Sequence, residues 1–329
     1  AIWEHHAPST EKGRSVALVA VGGYGRSELH PGSDIDLLVL FQKAPTRTQQ
    51  RNTESLVRTL WDVGLTIGHS VRTLRDCTSQ ARNDVTVMTN LLESRALAGD
   101  AELLSQLKLR TGVDMMWPAA KYLEAKIDEQ SARHLRYDDT AYNLEPQIKE
   151  GPGGLRDLQT IGWVAHRVLN QQGLRYLVSH NYLAEHEYRE LIRGRNFLWK
   201  IRNALHFASG RAEDRLLFDY QREIAQQFGY KDTTTLAVEK LMKRYYRTVG
   251  EVQLLNTTVL QQLQAAAKPK TKDGKNGATD LNRRFRTRNG LIEIRDSTVF
   301  QTSPFALLEV FLLLQQHPDL TGISVVTIR

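Results

Sequence analysis

Apolar positions in the first hundred residues come in short runs. Residues 16–21 (Val-Ala-Leu-Val-Ala-Val) are apolar and partly β-branched, and the run stops at Gly22-Gly23. That pattern predicts a buried strand entering a tight turn. Residues 24–30 read as a polar turn or short helix, and Pro31-Gly32-Ser33 as a second break. A second strand is expected over 34–41, where Asp34-Ile35-Asp36 leads into Leu37-Leu38-Val39-Leu40-Phe41. Leu56, Val57, Leu60 and Trp61 recur at helical spacing within 49–62, and alternation from Leu65 to Leu74 gives a third strand. A small mixed α/β domain over residues 1–112 accounts for these signals.

Beyond about residue 115 the period changes. Residues 120–136, 154–170, 183–208, 219–228 and 234–264 carry helical apolar spacing, so 113–264 is expected to be a helical domain. Leu191, Leu198, Ile201 and Leu205 fall on one stripe, with Arg195, Trp199, Arg202 and His206 on its neighbour. Residues 265–282 are rich in Lys, Gly and Asn and read as a flexible linker. Patterning resumes over 283–329 and ends in the apolar run 323–328. A run that stops without a cap or turn, in a chain that starts Ala-Ile-Trp-Glu, reads as an excerpt of a longer protein.

Composition narrows the class. The 329 residues are 41% hydrophobic and 25% charged, ordinary for a folded globular protein. The apolar stretch from Phe305 to Leu314 contains Glu309 and is about half a membrane span, so no transmembrane helix is expected. A single cysteine, Cys77, excludes an internal disulfide and a cysteine-rich zinc site, and fits a cytoplasmic location. Forty-four basic against 37 acidic residues give a net charge of +7, a field that attracts polyanions without naming one. With no aromatic-rich basic strand in sight, nucleic acid is not the expected partner.

The candidate chemistry lies where the first two strands meet their turns. Gly22-Gly23, ten residues, then Asp34-Ile35-Asp36 would present two carboxylates side by side, because residues i and i+2 share a strand face. Two such carboxylates repel, and the apolar strand behind them supplies no counter-charge. A divalent cation would, and magnesium takes one or two carboxylates together with phosphate oxygens and waters. Gly22 and Gly23 allow backbone N–H groups to approach phosphates, while Arg26 and Ser27 are near enough to add a cation and a hydroxyl. This set suits metal-assisted nucleotidyl transfer. Rival phosphate motifs do worse: the Rossmann pattern lacks its third glycine and its helix, and no P-loop motif occurs.

These residues resemble the bacterial PII uridylyltransferase/uridylyl-removing enzymes, within the DNA polymerase beta-like nucleotidyltransferase superfamily. The matching stretches are VGGYGRSELHPGSDIDLLVL at 21–40, NLEPQIKEGPGGLRDLQ at 143–159 and LWKIRNALHFASGRAEDRLLFDYQ at 198–221. The resemblance implies an α/β plus all-α architecture, with a polymerase beta-like nucleotidyltransferase domain followed by a helical domain. It implies transfer of UMP from UTP to a tyrosine of the PII nitrogen-regulatory protein, with magnesium or manganese as cofactor. On matching positions, Gly22 and Gly23 would hold the triphosphate, and Asp34 and Asp36 would bind metal and carry catalysis. Transfer of AMP to another protein and a non-catalytic nucleotide-binding module are the alternatives.

Two departures from the family pattern stand out. The superfamily's third carboxylate is expected on the strand near 67–72, where no Asp or Glu occurs, and Asp84 and Glu93 downstream lie in no motif. None of the ten histidines is followed by Asp, so the HD-type hydrolase site and the glutamine-sensing domains are expected beyond residue 329. Residues 283–329 would lead into that HD domain. Within 150–157 the glycines form either a rigid turn that starts a helix or a loop that aims Lys149 and Arg156 at nucleotide. Arg202, Asn203 and His206 form either a satisfied polar helix face or a wall of the cleft. His69 reads as structural.

Overall fold

The computed structural model describes residues 2–6, 15–267, 278–288, 290–320, 322–324 and 327. They form two compact units, 1–256 and 257–329.

The first unit opens with α1 (Ile2–His6) and a four-stranded sheet. Its strands are β1 (Val16–Ala20), β2 (Ile35–Phe41), β3 (Ile67–Thr73) and β4 (Arg95–Gly99), in the order β3-β2-β1-β4. β1 runs antiparallel to β2 and β4, while β2 and β3 are parallel. Between β1 and β2 lies the one-turn helix α2 (Gly22–Gly25), and α3 (Arg47–Asp62) makes the crossover to β3. A capping box between Thr46 and Gln49 starts α3, satisfying N–H groups that the first turn leaves orphaned. α4 (Leu74–Asn83), α5 (Val85–Leu92) and α6 (Ala101–Arg110) flank β4 along the chain, helices too short for their apolar spacing to stand out in the sequence.

Period-two alternation places Val16, Leu18, Leu37, Val39 and Phe41 on one sheet face, packed with Leu56, Val57 and Ile67. Ala17, Val19, Leu38 and Leu40 face the other way and are equally buried, and α6 packs against β1 and β2. Burial on both faces explains why β1 and β2 read as continuous apolar runs. The C-terminal end of β1 and the N-terminal end of β2 therefore meet at one rigid edge, where Val21 N–H donates to the Asp36 carbonyl at 3.1 Å.

The remainder of this unit is helical: α7 (Ala119–Leu135), α8 (Leu155–Leu169), α9 (Arg175–Ser179), α10 (Glu185–Ser209), α11 (Phe218–Gln227) and α12 (Ala237–Ala267), which continues past residue 256. Leu191, Leu198, Ile201 and Leu205 of α10 are fully buried, as their stripe predicts. α8 starts at a Gly-rich turn that is tied down by Asp157. This side chain accepts from Gly153 N–H at 2.8 Å, from Arg133 Nη2 at 2.6 Å and from His134 Nε2 at 3.0 Å.

The second unit has a sheet ordered β5 (Ala278–Asp280), β6 (Phe285–Arg288), β7 (Leu291–Ile294) and β8 (Gly322–Ile323), with α13 (Val299–Thr302) and α14 (Ala306–Gln316). Phe285, Ile292, Val310 and Leu313 lie in its core. The segment read as a linker differs at its edges: 265–267 finish α12 and 278–280 form β5, because Ala-rich sequence extends a helix readily. Its residues 268–277, and residues 325, 326 and 328 of the terminal run, lie outside the described residues. No described helix is long and apolar enough to cross a membrane.

Candidate functional site

Asp34 and Asp36 line one cleft of about 330 Å³ together with Gly22, Gly23, Lys149 and Arg156. Asp36 lies on β2, and Asp34 immediately precedes it. The cleft is shaped around the Asp36 carboxylate. A Cβ at Gly22 would stand 2.8 Å from Asp36 Oδ2, and one at Gly68 would stand 2.8 Å from Oδ1. Gly22 also has φ +57°, a conformation that an L side chain adopts only with strain. Gly68 is the β3 partner of Asp36 in register. Thus the strand on which a third acid is expected holds a glycine, whose use is to leave room for Asp36. Burial, and then the charge of Asp34, push the Asp36 carboxyl above the usual range, while Lys149 and Arg26 act against that rise.

The two downstream acids are already engaged. Asp84 caps α5, accepting from the N–H groups of Thr86 and Val87. Glu93 takes two hydrogen bonds from Arg26 Nη1, at 2.5 and 2.6 Å, and one from Trp163 Nε1. Burial still holds the Glu93 carboxyl above its ordinary value, against the charge of Arg26. Among the described residues no cluster of three or more His, Cys, Asp or Glu is arranged to hold a metal.

Arg26 reaches the cleft but is committed to Glu93 and to Glu28, so it serves as a structural strut between α2 and the end of α5. The structure does not bring Ser27 to the cleft. Its N–H closes a turn on the Tyr24 carbonyl, its φ is +63°, and the residue is exposed away from the acids. His69 sits edge-on against Trp61 and does not line the cleft that holds the acid pair.

The opposite wall comes from the helical part. The chain at 147–148 is strapped to 214–215 by a bridge and by Ile148 N–H donating to the Asp214 carbonyl. Arg202 Nε donates to Asp214 Oδ1 at 2.6 Å, and Lys149 Nζ stands 4.0 Å from both Asp214 and Glu150. Burial favours the acid form of Asp214, but Arg202 and Lys149 outweigh it and hold its pKa low. Burial lowers the Lys149 pKa, with Asp214 opposing. Arg156 is steadied by Glu150 at 3.0 Å and by Gln159 at 2.9 Å. The Gly-rich turn is therefore both a rigid helix start and the mount for Lys149 and Arg156.

His206 and Asn203 hold the loop that carries Asp34. Gly32 N–H donates to His206 Nδ1 at 3.0 Å, and His30 Nδ1 is 2.7 Å from Asn203 Oδ1. Since Nδ1 accepts, the proton of neutral His206 sits on Nε2 and points to Asp214 Oδ1 at 3.3 Å. Burial keeps His206 and His30 below the ordinary 6.5, with Arg202 adding to it. A histidine depressed in the folded state contributes stability that is present above its unfolded pKa and lost as pH falls below it. The melting temperature is therefore expected to drop between about pH 7 and pH 5 more steeply in the unaltered chain than in His206→Gln. Parallel curves would contradict this role.

His30, Gly68, Asn90 and Asp214 belong to the cleft or its mount and were not singled out from sequence. Asp214 and His30 lie inside the family-matching stretches, which was the available signal. Gly68 becomes legible only once β3 is registered against Asp36.

A nucleotidyltransferase domain model matches residues 9–83, the GlnD PII-uridylyltransferase model matches 121–260, and the uridylyltransferase GlnD third-domain model matches 285–329. Over these stretches the chain is similar to the PII-uridylyltransferases. Proteins named bifunctional uridylyltransferase/uridylyl-removing enzyme are similar throughout its length. The one from Azotobacter vinelandii is 47% identical over 95% of this chain and 35% of its own length. That from Ectopseudomonas mendocina is 45% identical over 99% and 36%, respectively. The Nitrosococcus oceani protein is 47% identical over 95% and 35%. The chain thus spans about a third of the length of these uridylyltransferase relatives.

Proposed function

We propose that this chain transfers UMP from UTP to a tyrosine hydroxyl of the PII nitrogen-regulatory protein, releasing pyrophosphate, in the cytoplasm. The reading includes the finer fold assignment, a DNA polymerase beta-like nucleotidyltransferase domain followed by a helical domain. One observation carries it: a single cleft sets the Asp34–Asp36 pair beside Gly22-Gly23 and across from Lys149 and Arg156. The matching GlnD family models and the names of the relatives support it.

The acid pair fits a divalent cation. Among the described residues neither carboxylate is paired with a cation, since Arg26 is held by Glu93 and Lys149 leans on Asp214. The two therefore form a hard oxygen donor set, and magnesium commonly takes one or two protein carboxylates with phosphate and water. Magnesium or manganese bound there would neutralise phosphate charge and stabilise the departing pyrophosphate. Lys149 and Arg156 would hold phosphate oxygens, and Gly22 and Gly23 give the chain no side chain in the path of the triphosphate. The acceptor oxygen forms a bond to the α-phosphorus as the α–β bridging P–O bond breaks. The hydroxyl proton is lost to solvent and pyrophosphate leaves.

Incubating the chain with PII, magnesium and each of four α-labelled nucleoside triphosphates tests this. Label on PII from UTP, and not from ATP, CTP or GTP, is expected. Labelling from ATP on a different protein, or nucleotide binding with no transfer to PII, would replace this function with one of the alternatives.

A further inference from the structure

Beside the acidic cleft lies a larger cavity of about 770 Å³, sharing with it only Arg26, Glu28, Glu93 and Gln159. The two differ in chemistry. The cleft is lined by charges suited to phosphates, whereas Leu92, Leu104, Leu155, Leu158 and Gly162 give the cavity apolar walls. α8 runs past both. Arg156 faces the cleft, Gln159 stands at the junction, and Gly162 lines the cavity. At 1.5 Å per residue these positions are spaced over about 9 Å, a span comparable with that from phosphate to base in a nucleotide.

We infer that this cavity receives the base of the donor nucleotide and that Gln159 selects uracil over cytosine. The inference rests on the donor-site reading above and deepens it. Arg156 Nη1 donates to Gln159 Oε1 at 2.9 Å. A guanidinium has only donors, so the carboxamide must turn its oxygen to Arg156 and leave its NH2 for the junction. No protein acceptor is bonded to that NH2 among the described residues. An outward donor matches the O4 carbonyl of uracil. Cytosine presents an amino group at that position, and donor would face donor. A site built to pair one polar group discriminates against the analogue that cannot pair, because its own group is left unsatisfied.

Two substitutions separate the parts of this inference. Gly162→Leu fills the cavity: a Cβ there meets only Leu174 Cδ2, at 3.9 Å, and leucine is the better helix former. Gln159→Met keeps length and helix preference but removes the donor. Calorimetric titration of the whole chain with UTP, CTP and inorganic tripolyphosphate, each with magnesium, reads the outcome. The unaltered chain is expected to bind UTP at least about tenfold more tightly than CTP or tripolyphosphate. Gly162→Leu should bring UTP close to tripolyphosphate while leaving tripolyphosphate unchanged, and Gln159→Met, which also releases Arg156, should bring UTP close to CTP, read as the ratio of the two affinities. An unchanged UTP affinity in Gly162→Leu, or an unchanged UTP-to-CTP ratio in Gln159→Met, overturns the base subsite. Tripolyphosphate binding as tight as UTP in the unaltered chain overturns it while leaving the phosphate site standing. Failure of every ligand to bind overturns the donor-site reading itself.

Discussion

Asp34→Asn combined with Asp36→Asn is expected to lower UMP transfer to PII by at least about a thousandfold. Among the described residues lining the cleft, the pair are the acids free of a structural duty, since Arg26 holds Glu28 and Glu93 and Arg202 holds Asp214. Asparagine keeps the size of each side chain and removes its charge, so cation affinity goes while the space between Gly22 and Gly68 stays filled. Stability should not fall with activity. Burial and Asp34 hold the Asp36 carboxyl high, so the folded state favours its protonated form and the ionised group costs stability as pH rises through that value. Without metal, the double variant should melt no lower than the unaltered chain at neutral pH. Added magnesium should raise the melting temperature of the unaltered chain alone. Transfer retained to within about tenfold would remove the acid pair from the mechanism.

Asp157→Ala is expected to cost about 3–5 kcal/mol of stability, the largest structural effect of any single change near the site. Asp157 is fully buried and satisfies Arg133, His134 and Gly153 N–H at once. Truncation strands the Arg133 guanidinium in the interior with only the Glu150 carbonyl and a distant Glu150 carboxylate. The Gly-rich turn would loosen with it, and Lys149 and Arg156 are mounted on that turn. Denaturant unfolding should therefore show a much lower midpoint, and UTP affinity should fall at denaturant-free conditions. Asp157→Asn, which keeps an acceptor for Gly153, should lose less. A midpoint shift below about 1 kcal/mol for Asp157→Ala would mean that the network is not what holds the turn.

Much of this was legible from residues alone because the signals were local. β1 and β2 are buried on both faces, so their runs are apolar without interruption, and Asp36 at the mouth of such a run is conspicuous. The stripe on α10 follows directly from helical period. Less legible were features set by distant contacts. Arg26 and Ser27 sit in one motif, yet Glu93, 67 residues on, claims Arg26, while the left-handed turn sends Ser27 to the surface. The vacancy for a third acid on β3 makes sense only in register, where Gly68 opposes Asp36. Both readings of Arg202 and His206 turn out compatible. They are satisfied polar groups through Asp214, and through Gly32 one of them also secures the loop bearing Asp34.

The central claim is tested most directly by diffraction from crystals of this chain grown with manganese and a non-hydrolysable UTP analogue, collected at the manganese absorption edge. The account predicts an anomalous peak at coordination distance from both the Asp34 and Asp36 carboxylates, with triphosphate oxygens completing the sphere. A well-occupied nucleotide with its manganese bound elsewhere would contradict it.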